Sequence, residues 1–372
     1  MAVHKVKIHT LFEYLLETTN AEPEAFIGFS LAEPPKLGEY LQDLDPDLPL
    51  DWNGVDFRGL PALRDHVLAR SGLDLPRDAV LITAGAAEAN YLALRQLVGP
   101  GDKIVTERPG WPQVGVMAEA IGADLVEVRR RESDGWALHL GELSDAAKGA
   151  QLIFLTNPNN PTGRLIPEAE LREVVDIARR EDAWLLVDEV YAGLEWSGPR
   201  PPSVAGLYEK GITTGSVSKA LGLQGLRTGW MICQDEEAIR DAYILRENAS
   251  EIMNIIGEVI AEVAMREDRY LGKLATVREE AQATLSMLDS YVAGEPRLSW
   301  VQPEAGLIGL ARLDGTDGDT FARQLLDDPY RTFLLPGSSY GEPAHIRIGV
   351  GGGEAAKLSL GLERMSALLA KA

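Results

Sequence analysis

Lys219 lies in SVSKALGLQGLRTGW, with serines three and one residues before it and Arg227 eight residues after it. Small residues and glycines crowd the lysine, and no other charge stands near until that arginine. An amine placed among such neighbours is partly desolvated, which lowers the pKa of its ammonium form. A neutral amine attacks a carbonyl carbon to give a Schiff base. Ser216 and Arg227 are side chains suited to a phosphate a few ångströms away, since charge-assisted hydrogen bonds favour that anion.

A buried lysine beside a phosphate cradle points to pyridoxal 5'-phosphate (PLP), whose ring nitrogen needs a facing carboxylate. The segment AWLLVDEVYAGLEW offers one: residues Trp184 to Val187 read as a buried parallel strand with Asp188 at its carboxyl end. Open α/β sheets bind ligands at that end of their strands. Tyr191, three residues on, is expected to hydrogen-bond the ring's phenolic oxygen. In LIFLTNPNNPTG a strand runs into a Pro/Asn/Gly turn, which delivers the Asn160 amide to the same edge and the same oxygen. In VLITAGAAEANYLAL a strand and a Gly-Ala turn precede a helix beginning near Ala86, so the amides of Ala86 and Ala87 are expected to face the phosphate.

The elements that must position these groups are legible as a βα alternation from about Pro61 to Asp235. Strand-like runs such as DKIVTE, ADLVEVR, QLIFLT, AWLLVDE and ITTGSVS are separated by amphipathic stretches such as EAELREVVDIARRED. That pattern predicts an α/β fold around a mostly parallel sheet. From Glu236 to about Asp289 the apolar spacing is helical. Beyond Ser290, LSWVQ, AGLIGLARL and HIRIGV read as strands before a final helix, which suits a small α+β unit.

With NPNNPTG, DEVYAG and SVSKALGLQGLRTG in that order, the chain resembles the fold-type I PLP enzymes of the class I/II aminotransferase superfamily, from roughly Ser30 to Val350. The resemblance implies an aspartate-aminotransferase-like architecture with a seven-stranded-type sheet in a large PLP domain over residues 51–285. An N-terminal arm (1–50) would join a small C-terminal domain (286–372). It implies that Lys219 holds the internal aldimine and that Asp188 pairs with the pyridine nitrogen. Asn160 and Tyr191 would bind the ring oxygen, and Ser216 and Arg227 the phosphate. Trp111, in ERPGWPQV, stands where the superfamily stacks an aromatic ring on the cofactor, and Arg347, in HIRIGV, where it clamps a substrate α-carboxylate. Relatives build each site from two subunits, so a homodimer is implied.

The implied activity is transamination of an α-amino acid through the Lys219 aldimine and a quinonoid. Elimination or cyclisation is the alternative, and a non-catalytic scaffold a third reading that retention of Lys219, Asp188 and Arg347 disfavours. In DWNGVDFRGLPALR, Phe57 or Trp52 stands near the position where many relatives carry a tyrosine reaching the neighbouring subunit's phosphate. This segment looks somewhat like the DYHGLP run of aminocyclopropane-carboxylate synthases. EANYLAL, KIHTLFEYLLETT and the lysine motif resemble a capreomycidine-synthase-like subgroup that dehydrates and closes a ring. In ILRENASEIMN, Asn248 and Ala249 are read as part of the helix after the lysine motif, facing substrate.

Composition sets outer bounds. A chain of 372 residues with 45% hydrophobic content can bury more than one core. A formal charge of −21, from 36 basic and 57 acidic side chains, argues against nucleic acid and anionic membrane as partners. The N-terminal stretch shows no continuous apolar core, so a cytoplasmic enzyme is expected. The single cysteine, Cys233, and five histidines show no metal-ligand spacing.

Overall fold

The computed structural model describes residues 5–18, 21–51, 56–196, 198–351 and 355–371; Trp52 falls outside them. Thirteen strands occur among these residues: β1 (Ala25–Phe26), β2 (Val80–Thr83), β3 (Lys103–Arg108), β4 (Asp124–Arg129), β5 (Leu152–Thr156), β6 (Trp184–Asp188), β7 (Gly211–Ser216), β8 (Gly229–Cys233), β9 (Leu298–Trp300), β10 (Ile308–Leu313), β11 (Thr332–Phe333), β12 (Leu335–Pro336) and β13 (His345–Gly349). Seven form the main sheet in the order β2-β8-β7-β6-β5-β3-β4, parallel except for β8, which runs against both its neighbours. The expected α/β class and mostly parallel sheet are therefore present.

Alternation along the strands sorts their side chains onto two covered faces, as the period of two requires. Leu152, Phe154 and Leu186 pack against Ala89, Leu92 and Ala93 of the helix Ala86–Leu97. Ile153, Leu155, Leu185 and Val187 pack on the other face against Leu171, Val174 and Ala178 of the helix Glu168–Arg180. Because Asp188 follows Leu186 by two residues, the pleat turns its side chain toward the face of the Ala86 helix.

The second sheet is antiparallel, in the order β12-β13-β10-β9, and places Arg347 in β13 opposite Leu310 and Leu335. The N-terminal segment joins it, since β1 pairs in parallel with β11. One hydrophobic cluster unites Leu307, Ile308, Ile346 and Ile348 of this region with Tyr191, Leu194 and Ala220 beside the main sheet. The long helix Glu267–Gly294 contributes Leu274, Val277, Ala281 and Leu288 to the same core. This shared core fixes Arg347 relative to Lys219. The helical stretch expected from Glu236 is three helices, Glu236–Glu247, Ile255–Met265 and Glu267–Gly294. The first ends before Asn248, whose amide donates to the Ile244 carbonyl at 2.9 Å, so Asn248 caps the helix and Ala249 lies in the turn beyond.

A buried ion pair braces the turn after β5. Glu107 and Arg130 side chains have no exposed area and meet at 2.7 Å. The free oxygen of Glu107 accepts from the Thr156 amide at 2.8 Å and from its hydroxyl at 2.7 Å. Thr156 Oγ1 in turn accepts from the Asn160 amide at 3.2 Å. Removing one partner of a buried pair leaves an uncompensated charge, at a cost of about 3–5 kcal/mol. Arg130→Met is therefore expected to lower the unfolding free energy by roughly that amount. A urea titration finding a loss below about 0.5 kcal/mol, the scatter of ordinary surface substitutions, would show that the pair does not brace the turn.

Candidate active site

Asp188 ends β6 almost fully buried, and its carboxylate accepts from the Asn90 side-chain amide at 2.8 Å and from the Val190 backbone amide at 3.1 Å. Asn90 is itself held by the Thr214 hydroxyl, which donates to its amide oxygen at 2.8 Å. With that oxygen engaged, the Asn90 amine is the group turned toward Asp188. Burial pushes the Asp188 carboxyl up to about 6, against the pull of Asn90, the Val190 amide and the Lys219 charge. Asn90 was part of a resemblance motif but had no role in the sequence reading. Its helix and β6 are joined only by the fold, and an asparagine inside a helix gives no signal of its own.

Lys219 is half-buried beyond the end of β7, with Nζ lying 5.6 Å from the centroid of the buried Tyr191 ring. Desolvation brings its ammonium down to about 7; the positive charge of Arg347 acts in the same direction and Asp188 opposes it. Its backbone carbonyl accepts from the Ala32 amide at 3.1 Å, tying the N-terminal segment to the lysine turn. Asp188, Lys219 and Arg347 thus act on one another electrostatically although they come from three distant segments.

The expected phosphate end is assembled at the start of the Ala86 helix. Gly85 precedes it at φ 85°, and no side chain caps the first turn at that position, so Ala86 and Ala87 head the helix as read from sequence. Arg227 crosses this turn, donating to the Ala84 carbonyl at 3.1 Å. The positive φ of Gly85 favours glycine, and a Cβ there would also come within 2.4 Å of Arg227 Nη2 and push that side chain aside. Glu88 folds back to accept from the Ala84 amide at 2.6 Å. Ser216 closes β7 half-buried, its hydroxyl accepting from the Ser218 amide at 3.3 Å.

On the other side of the lysine, the Tyr191 hydroxyl is 2.7 Å from that of Ser30, a buried residue the sequence reading passed over. Asn160 presents its amide oxygen to Arg347 Nη1 at 3.4 Å, which leaves its amine end for another acceptor. Arg347 is buried; it also donates to the Tyr340 hydroxyl at 2.6 Å and to the Gly28 carbonyl at 2.8 Å. Trp111 is half-buried, its indole donating to Gln113 at 3.1 Å, while Gln113 anchors on the Ala87 carbonyl at 2.8 Å. Asn248 and Ala249 are exposed, and the Asn248 side chain is turned to its own helix. No group of ligating residues for a metal occurs among the described residues.

These groups fit PLP by their chemistry. They comprise an uncapped helix start with an arginine, which would suit the phosphate, a buried carboxylate, which would suit the ring nitrogen, and an amine of depressed basicity. A covered parallel sheet carrying that set at its carboxyl edge is the design of a fold-type I PLP enzyme. Residues 53–365 match the family of class I and II aminotransferases, and the chain belongs to it. Arginine–pyruvate transaminase AruH of Pseudomonas aeruginosa is 28% identical over 310 residues, 80% of this chain and 77% of that protein. Capreomycidine synthase of Streptomyces vinaceus is 27% identical over 322 residues, 83% and 81% of the two chains. The crystal structure of a PLP-dependent aminotransferase from Streptococcus suis superposes with a TM-score of 0.90 at 25% identity, covering 99% of this chain and 98% of that one. The protein is a PLP-dependent enzyme.

Holding Asp188 ionised has a cost to the cofactor-free fold. Its folded pKa, about 6, lies above the ordinary 3.8, so the native state binds the extra proton between those values. Stability falls as pH rises through that window, and the full penalty, roughly 3 kcal/mol, is present above pH ~6. Asp188→Asn should stabilise the cofactor-free protein at pH ~8 by up to roughly that amount and leave it unchanged near pH ~4. Urea unfolding at both pH values checks this; an equal effect at the two would place the carboxylate in water.

Proposed function

We propose that the enzyme transfers the amino group of an α-amino acid, with Lys219 as its covalent anchor and proton carrier. The convergence of Lys219, Asp188 and Arg347 supports this reading, since each charge contributes to the electrostatics of the lysine. Bound PLP supplies an electrophilic aldehyde carbon and a ring that accepts the electron pair of a bond broken at the substrate Cα. Asp188, fixed by Asn90, keeps the ring nitrogen protonated so that this acceptance is strong. The Asn160 amide N–H and the Tyr191 hydroxyl would serve the phenolic oxygen. Ala86, Ala87, Ser216 and Arg227 would hold the phosphate, and Trp111 would cover the ring.

Arg347 takes the substrate carboxylate and so sets Cα beside Lys219 Nζ. A released amine with a pKa near 7 is neutral often enough to remove the Cα proton, and its position beside that carbon supplies the effective concentration. Lys219 Nζ would then carry that proton away from Cα, which is the residue's part in a transamination. Elimination or cyclisation is the second reading, favoured by the likeness to capreomycidine synthase over 83% of the chain. The absence of a phenol at Phe57, where a partner's phosphate contact is expected, suits either outcome.

The reading includes a homodimer. Phe12 and Leu16, one helical turn apart and 49% and 63% exposed on the helix Thr10–Glu17, give the N-terminal arm an apolar face that a second subunit would cover. A cytoplasmic location is part of the same reading. Among the described residues no helix is long and apolar enough to cross a membrane.

Two measurements test the assignment. Recombination of the cofactor-free protein with PLP should accelerate as pH rises through about 7, where Lys219 loses its proton, and then level off. A rate that keeps climbing to the ordinary lysine range would remove the desolvated amine from the scheme. Adding amino donors alone should convert the yellow form to the pyridoxamine form with release of the matching 2-oxo acid. Retained colour with release of water or another leaving group would establish the elimination reading in its place.

A further inference from the structure

Arg347 has five N–H groups, and three are engaged among the described residues. Nη1 donates to Tyr340 and Asn160, and one Nη2 hydrogen goes to the Gly28 carbonyl. Nε is buried with no hydrogen-bond partner among the described residues. One Nη2 hydrogen stays unengaged among the described residues. The strongest of the three engaged contacts, at 2.6 Å, is to the Tyr340 hydroxyl, on the opposite corner of the guanidinium.

Tyr340 is placed firmly enough to act as a stop. It ends the short helix Gly337–Tyr340, where a Cβ on Gly337 would strike the Glu342 carbonyl at 2.3 Å. Ser338 donates to Asp319 at 2.7 Å, which pins the turn from the far side. The phenol is 4% exposed, and burial pushes its pKa up to about 12, so it stays protonated and neutral. A neutral oxygen accepts from Arg347 without cancelling its charge, as a carboxylate in that place would. Phenylalanine would fill the same space but leave Nη1 without its best acceptor.

We infer that Tyr340 is a positioning residue for substrate recognition: its hydroxyl holds the Nη1 corner of Arg347 and thereby fixes the plane in which the guanidinium meets the α-carboxylate of the substrate. This rests on the reading of Arg347 as the carboxylate clamp. It assigns the discrimination between α-amino acids and amines lacking the carboxylate to a pair of residues. The two stand seven positions apart, on a turn and on β13.

The test compares Tyr340→Phe and Arg347→Lys with the unaltered holoenzyme, using an α-amino acid donor and the primary amine that lacks its carboxylate. A lost hydrogen bond to a charged group corresponds to about ten-fold or more in affinity. Tyr340→Phe should raise KM for the amino acid by about that factor, with most of the loss in KM, and leave KM for the amine unchanged. Binding of an unreactive α-methyl amino acid, followed by tryptophan fluorescence, should weaken in parallel. The variant should still unfold cooperatively, at a somewhat lower temperature, because the ring is retained while a buried donor loses its acceptor. If Arg347→Lys removes the discrimination and Tyr340→Phe does not, the inference about Tyr340 is wrong and the clamp stands. If neither changes it, the clamp itself is wrong.

Discussion

A buried carboxylate and a partly desolvated amine stand at the carboxyl edge of one sheet, and much of the molecule serves to keep them there in usable form. Burial disfavours the charged form of both: against the pull of its neighbours it leaves Asp188 at about 6, and with Arg347 it brings Lys219 down to about 7. Each responds differently. The carboxylate is brought back toward ionisation by the Asn90 amide and the Val190 N–H, whereas Lys219 Nζ makes no hydrogen bond among the described residues. An acid that must stay charged is hydrogen-bonded, and an amine that must lose its proton is not.

The positive charge of Arg347 adds to that arrangement from the second sheet. It helps to depress Lys219 and is itself tied to Gly28, Asn160 and Tyr340, one residue from each of three further segments. Its position depends on the hydrophobic cluster that β10 and β13 share with Tyr191 and Ala220. Apolar packing therefore sets the distance between the proposed substrate clamp and the proton carrier. The buried Glu107–Arg130 pair does the same for Asn160 through Thr156.

Family membership fixes the cofactor but not one reaction, since the similar proteins include both a transaminase and capreomycidine synthase. What separates those outcomes is whether the substrate carries a side-chain group that can leave, which the residues holding the cofactor do not decide.

The sequence by itself determined the sheet, the cofactor class and the residues with the most distinctive neighbours. Asp188 at a strand end, Lys219 among small residues and Asn160 in a Pro/Asn/Gly turn each carry their signal in a short window. Such signals are legible because strand periodicity and turn chemistry are local properties. Asn90, Thr214, Ser30 and Tyr340 were not legible: each is an ordinary residue of a helix, strand, loop or turn until the fold brings it to its partner. Asn90 and Asp188 are separated by 98 positions, yet their side chains meet at 2.8 Å. The end of the helix at Glu247 was likewise decided by a side chain turning back to its own backbone, which competes with a helical pattern that sequence alone would extend. Hydrogen-bond partners chosen across such distances depend on which faces of the sheet and helices are pressed together, and only the packed structure specifies that.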